Sequence, residues 1–426
     1  MNGRRLGLVA AAAAALLVAG CATAPSGPDG GGGGPVTLKF QSLAFQEPSV
    51  AATKKIVDSW NAAHPDIHVD LTQGSWDAVH DQLVTQFQGG TAPDVIHDES
   101  ADITGFARQG YLADLGPALS PTTRASIPDG VWQTVTVDGK TVAAPTLLQS
   151  YVVFANTALL AQAGVTPPTG ATWTWDQLAA AARAATTATS KGLGWGLRQP
   201  TATVVSMGVN FGAQFFTGTG PATAVQIGDA ELEVPRRIHD MAWVDKSLDQ
   251  TSLTQSGSDV VKAFLDGRYA MIVAGSFAAQ QIKAAAPAGF SWTVLPALAG
   301  ASANQAANPQ TLSVPADSKN VAQATQFIEY YLQAQNLAAV AQGEWLIPTS
   351  GAARTAVASA TGGADGWAAT LAGAEHLTTA PFQSVERYPQ WKDQIATPAL
   401  QRYLGNQIDL PTLRTQLTDG WKQVSR

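Results

Sequence analysis

The sequence predicts an α/β protein of two lobes, each a doubly wound sheet with flanking helices, joined by a hinge near residue 150. Three observations carry this. At 426 residues the chain is longer than one hydrophobic core ordinarily serves. Between Val36 and Ile96, alternating runs and helix-period runs succeed one another as strand–helix–strand–helix–strand. At Gln149-Ser150-Tyr151-Val152-Val153-Phe154-Ala155-Asn156, polar residues give way to a β-branched and aromatic run too short for a helix. There the chain is expected to leave one lobe and enter the other, so that Gln149 and Ser150 face the cleft.

The elements follow in order. Val36 to Phe40 alternates as a first strand, and Glu47-Pro48 opens a helix through Trp60 with Ile56, Val57 and Trp60 at helical spacing. Ile67 to Leu71 is the second strand. Ser75 is expected to cap a helix whose face is Val79, Leu83 and Phe87 and which stops at Gly89-Gly90. Pro93 to Ile96 is the third strand, with His97, Asp98 and Glu99 following it. Val135 to Val142 is a hairpin on an Asp138-Gly139 turn. Past the crossover, Thr174 and Gln177 form a capping box for a helix through Ala188. The glycine-rich stretches 192–196 and 208–220 read as loops. Ser258 is expected to cap a helix ending at Gly267, before strands Tyr269 to Val273 and Trp292 to Pro296. Thr311 to Pro315 reads as a returning strand, and Asn320 with Gln323 as the cap of an amphipathic helix carrying Val321, Ala324, Ile328 and Leu332. From Gly351 onward the pattern is short helices and no strands.

Apolar residues make up 45% and charged residues 13% of the chain, an ordinary globular balance. The net charge of −7 and the lack of any basic run exclude a nucleic-acid-binding protein, which needs a basic face. The one cysteine, Cys21, rules out a disulfide within the chain. It follows a basic start (Arg4, Arg5), an apolar stretch from Leu6 to Val18 and the lipobox Val18-Ala19-Gly20-Cys21. The expectation is a signal peptide over 1–20, lipid attachment at Cys21, and a Gly/Pro-rich tether over 21–35, which spans on the order of 20 Å.

Several ordered motifs resemble the extracellular solute-binding proteins of family 1, the maltose-binding-protein-like receptors of sugar ABC transporters. Gly90 to Val95 resembles "G-x-x-P-D-V", and Phe106 to Leu115 resembles "F-A-x-x-G-x-L-x-D-L". Phe264 to Met271 followed by Gly275-Ser276-Phe277 is similar to "F-x-x-G-x-x-A-M … G-x-W", with Phe in place of Trp. Val314 to Asn320 and Gly343 to Pro348 match later family segments. The departures, Phe154-Ala155-Asn156 and Asn308-Pro309-Gln310, concern the cleft.

The resemblance implies a type II periplasmic-binding-protein fold, a carbohydrate ligand, an ABC permease as partner, no cofactor, no metal and no enzymatic activity. It also implies an extracytoplasmic monomer anchored to the membrane through Cys21. The lobes would be 36–148 plus 309–345, and 151–308 plus 348–426. A sugar site needs aromatic faces and short polar side chains. Positions beyond the carboxyl ends of strands offer Gln46, Glu47, Trp76, His97 and Asp98. Matching family positions add Gln149, Asn210, Phe211, Ser276, Phe277, Trp345 and Trp391. Trp60, Trp132, Trp173, Trp175 and Trp421 sit in apolar periodic contexts and are expected in the core. The competing readings are an extracellular carbohydrate hydrolase using Asp98, Glu99 or Asp102, and a receptor for a peptide, polyamine or metal chelate. A glycosidase needs two carboxyls about 5 to 9 Å apart; Asp98 and Glu99 are adjacent and expected to diverge.

Overall fold

A computed structural model describes residues 34–218 and 220–425. The expected signal peptide, the lipobox with Cys21 and most of the tether lie outside them. None of the described helices is long and apolar enough to cross a membrane.

The first sheet has five strands, ordered Ile67–Gln73, Val36–Ser42, Val95–Glu99, Gln310–Ser313 and Ala143–Pro145. The first three run parallel, and Gln310–Ser313 returns antiparallel to both of its neighbours. Leu38 and Phe40, alternate residues of the first strand, are sealed beneath helices Glu47–Ala63 and Val321–Tyr331, where Phe40 meets Phe327 and Tyr331 edge-on. The second sheet has four strands, ordered Lys191–Trp195, Tyr269–Gly275, Tyr151–Asn156 and Trp292–Val294. Only its first pair is parallel, so this sheet is mixed.

Several expectations need correction. The stretch expected as a loop over 192–196 instead belongs to strand Lys191–Trp195, except for its last residue, Gly196. Its glycines answer to packing: a Cβ on Gly192 would lie 1.8 Å from the Ala182 carbonyl oxygen, and one on Gly194 would lie 2.4 Å from the Tyr269 ring. Close approach, rather than turn formation, explains them. The third strand runs on through Glu99, so His97 and Asp98 belong to it and pair with Leu312 and Thr311. Ser75 caps no helix. Its Oγ accepts from the Asp77 amide, and the helix starts at Val79 after Ala78 in the left-handed region. The helix after 174 ends at Ala184, and the cap of the next predicted helix is Ser256 with Asp259 rather than Ser258. Asn320 makes no side-chain cap; with Ser318 it turns toward Asp94. After Gly351 one short strand does occur, Leu377–Thr378, paired with Gln305–Ala306.

Three segments cross between the sheets, near residues 149, 307 and 346. Leu148, Ala307 and Ile347, one from each, form a small buried cluster of their own. Strands Leu147–Leu148 and Ile347–Pro348 pair there, and the Thr349 amide donates to the Thr146 carbonyl. Although the chain is longer than one core ordinarily serves, the sheets are not buried in separate cores. One apolar cluster runs from the first sheet to one face of the second. Helices Ala334–Glu344, Gly351–Thr361 and Trp367–Ala372 carry it across, with Trp345 stacked on Trp367 at 4.7 Å. A second cluster covers the other face of the second sheet.

Candidate functional site

A cavity of about 960 Å³ opens between the sheets, within the usual range for small-molecule sites. Its wall draws on the ends of first-sheet strands (Ala44, Phe45, Gln73, Glu99), the crossings (Gln149, Tyr151, Asn308, Gln310) and the second lobe (Phe277, Phe382, Tyr388, Lys392). Trp76 stands on the turn after Ile67–Gln73. Gln73 fixes that turn by donating from Nε2 to the Ser42, Ala44 and Gly74 carbonyls. Gly275 lets the Phe277 ring fold back over the wall, since a Cβ there would meet it at 2.4 Å and Gln149 at 3.0 Å.

The crossings set the polar groups. Gln305 pairs with the Tyr151 backbone as a strand would, accepting from its amide and donating to its carbonyl, both at 2.8 Å. Asn308 Oδ1 accepts from Ser100 Oγ and the Ala101 amide at the start of helix Ser100–Arg108, and its Nδ2 donates to Glu99 Oε2 at 2.8 Å. Gln310 is backed by His97, which accepts the Leu43 amide at Nδ1 (3.0 Å) and so faces Gln310 Oε1 with Nε2–H (3.1 Å). Burial drives the His97 pKa down to about 4, against the pull of Gln310. Burial and the nearby Asp102 carboxylate push Glu99 above the usual carboxylate range. Burial likewise raises the Tyr151 and Tyr388 hydroxyls.

Of the residues expected at the site, Trp76, Gln149 and Phe277 line the cavity. Gln46 lies at its margin, with Nε2 3.5 Å from the Phe277 carbonyl. The others do not face it. Glu47 is exposed at a helix start, where a carboxylate favours the helix dipole. His97 and Asp98 are buried behind the wall, because the strand continues through them. Asn210 is sealed between the Trp175 indole and the Asn304 carbonyl, and Phe211 packs on Trp175 and beneath Arg237. Ser276 is buried, its amide tied to the Ser150 carbonyl. Trp345 lies in the shared core, and Trp391 is 1% exposed with its indole N–H on the Leu417 carbonyl. The Asn308-Pro309-Gln310 stretch expected at the cleft does supply Asn308 and Gln310, though neither was named as a site residue; sequence reasoning missed Phe45, Tyr151, Phe382, Tyr388 and Lys392 as lining residues. A signal existed for the crossings, since any residue beside Gln149 or within 308–310 must pass the cleft. Tyr388 and Lys392 come from late helices whose spacing gave no hint.

Two lobes linked by three crossings, with a polar and aromatic cavity between them, define a two-lobed ligand-binding protein. A family model for bacterial extracellular solute-binding proteins matches residues 44–338, and the chain belongs to that family. A lipoprotein from the oleD 5′ region of Streptomyces antibioticus is 42% identical over 385 residues, 89% of this chain and 85% of that one. Among solved structures, the GacH receptor of Streptomyces glaucescens, determined unliganded and with acarbose, has a TM-score of 0.75 at 22% identity, covering 92% of this chain and 98% of its own. The ABC substrate-binding protein Lmo0181 from Listeria monocytogenes, in complex with cycloalternan, has a TM-score of 0.76 at 19% identity, covering 91% and 98%. At such identities the likeness establishes the fold, a type II two-lobed binding protein.

Proposed function

We propose that this chain captures a short saccharide between its lobes and hands it to an ABC permease. The observation that carries the reading is the wall of the cavity. Aromatic faces (Trp76, Tyr151, Phe277, Tyr388) alternate there with amides and a carboxylate (Gln149, Asn308, Gln310, Glu99), which suits the two surfaces of a sugar ring. The volume accommodates more than one ring, and the acarbose and cycloalternan bound by the two receptors above support an oligosaccharide. Guest contacts to both lobes would favour the closed population through the hinge cluster Leu148–Ala307–Ile347. In this reading the lobes divide as 36–148 plus 309–345 and 151–308 plus 348–426. Lipid on Cys21 holds a monomer at the outer face of the membrane.

The hydrolase reading is weaker. Of Asp98, Glu99 and Asp102, only Glu99 reaches the cavity, and the other wall carboxylate, Asp77, is exposed. The test is a thermal-shift and calorimetry screen of mono- and oligosaccharides. A guest at a hundredfold excess over its Kd stabilises by about 2.7 kcal/mol. We expect a raised melting temperature with no turnover of chromogenic glycosides. Stabilisation by peptides or polyamines alone would reject the saccharide.

A further inference from the structure

Glu99, an acid, and Lys392, a base, line the same cavity from opposite lobes and do not pair. Glu99 ends a strand of the first sheet. Lys392 opens a π-helical turn, Lys392–Ala396, directly after Trp391, which is embedded in the core of the second lobe. Such widened turns recur at functional positions because they redirect a side chain. No ion pair within 4.0 Å joins the two residues, and Lys392 Nζ donates no hydrogen bond among the described residues. Among the described residues, the one carboxylate in ion-pair range of that ammonium is Asp393, its sequence neighbour, at 4.0 Å. Glu99 accepts at Oε2 from Asn308, which leaves Oε1 for a guest. Behind Glu99, Asp98 is sealed with Oδ2 unpartnered, and Asp102 is turned toward His80 at 3.7 Å. Burial opposes the charge on Lys392, but Glu99, Asp102, Asp393 and Asp98 outweigh it, so the ammonium stays charged.

We propose that Glu99 and Lys392 form a charge-balanced clamp that selects an uncharged saccharide over an acidic or a basic one. The inference rests on the saccharide reading above and narrows it. A sugar hydroxyl both donates and accepts. Neighbouring hydroxyls can therefore donate to Glu99 and accept from Lys392. A charged ring satisfies one of the two and brings a like charge into the part-buried wall beside the other, which is costly where solvent is excluded. Asp77, the remaining charge on the wall, is exposed and screened by solvent and salt.

The test is calorimetry on the full chain with maltotriose, cellotriose and laminaritriose as neutral probes, trigalacturonate as the acidic probe and the glucosamine trimer as the basic one. The wild type should bind at least one neutral probe, and both charged probes at least tenfold more weakly. Glu99→Gln should shift the ratio of acidic to neutral affinity upward by tenfold or more. Lys392→Met should do the same for the basic probe, and neither change should help the opposite charge. A wild type that binds a charged trisaccharide as tightly as the neutral ones overturns the clamp without any mutant. Ratios unmoved by both substitutions also overturn it while leaving the saccharide reading intact. Heats of binding absent for every sugar sink both.

Discussion

Trp76 and Trp391 have the same side chain and opposite fates. Trp76 sits on a turn at the end of a strand, half-buried, its ring edge-on to His97 at 5.5 Å and one side open to the cavity. Trp391 looked comparable from its place in a late helix, yet it is wedged between Phe216 at 5.0 Å and the Leu417 carbonyl. Phe277 and Trp345 repeat the contrast. Phe277 lies two residues past the end of strand Tyr269–Gly275, whereas Trp345 takes the left-handed position closing a helix and is swallowed by the core. The lesson is positional: Trp76 and Phe277, just beyond the carboxyl ends of strands, meet the cleft, while Trp391 within a helical run and Trp345 at a helix end pack inward.

The largest effect should come from the core member of each pair. Trp391→Ala leaves a cavity and should cost about 3–5 kcal/mol in urea unfolding, while ligand affinity of the folded fraction changes little. Trp76→Ala should do the reverse, and a large stability loss there would break the contrast. The next effect belongs to His97, the neighbour of Trp76. Its folded pKa, about 4, lies below the ordinary 6.5. As pH falls through that window the unfolded chain takes up a proton that the folded chain refuses, so stability is lost. Between pH 7.5 and 4.5 the loss should be about 2–3 kcal/mol. The control is His97→Gln, which keeps an acceptor for Leu43. Asp98 and Glu99 have raised pKa values and act in the opposite sense, losing stability as pH rises. The informative quantity is therefore the difference in slope between wild type and His97→Gln, and equal slopes would mean that His97 titrates normally.

The sequence revealed the fold better than the site. Alternation at Val36 to Phe40 and helical spacing at Ile56, Val57 and Trp60 mark which faces are buried, and burial sets architecture. The run at 149–156 located a crossing because polar residues met a strand with no turn between them. The glycines at 192, 194 and 196 misled, since a strand built for close packing has a loop's composition. The site was harder to read for a related reason. Whether His97 faces a guest depends on one residue of strand length, and that was fixed by pairing with Gln310–Ser313, more than two hundred positions away. Lys392 is less legible still: one lysine in a helix points at the cavity because of a π-turn, which no local pattern announces.

Among the cavity residues, Trp76→Ala should lower saccharide affinity tenfold or more, for stacking worth roughly 1–2 kcal/mol. Calorimetry with the best sugar from the screen measures this directly. Unchanged affinity would leave Phe277 and the tyrosines as the stacking surfaces and place the ring of the guest elsewhere on the wall.

The smallest effect, and the sharpest on closure, concerns Phe45. It is 46% exposed, an unusual setting for a phenylalanine, and its ring meets Phe277 edge-on at 5.9 Å across the mouth of the cavity. Its backbone is held from beneath, where the Phe45 amide donates to buried Glu344 at 3.0 Å and Ser49 donates to the same carboxylate oxygen. The first lobe thus presents an aromatic edge to the second, and under the proposed hinge closure this contact would be made in the closed form. An edge-to-face pair is worth about 0.5–1.5 kcal/mol. Part of that is offset because the exposed ring keeps water on its other side, so Phe45→Ala should weaken saccharide binding about two- to fivefold. The lost contact belongs to the closed form, so the change should appear mainly as faster dissociation in stopped-flow fluorescence. A slower association with unchanged dissociation would instead assign Phe45 to the capture of the guest.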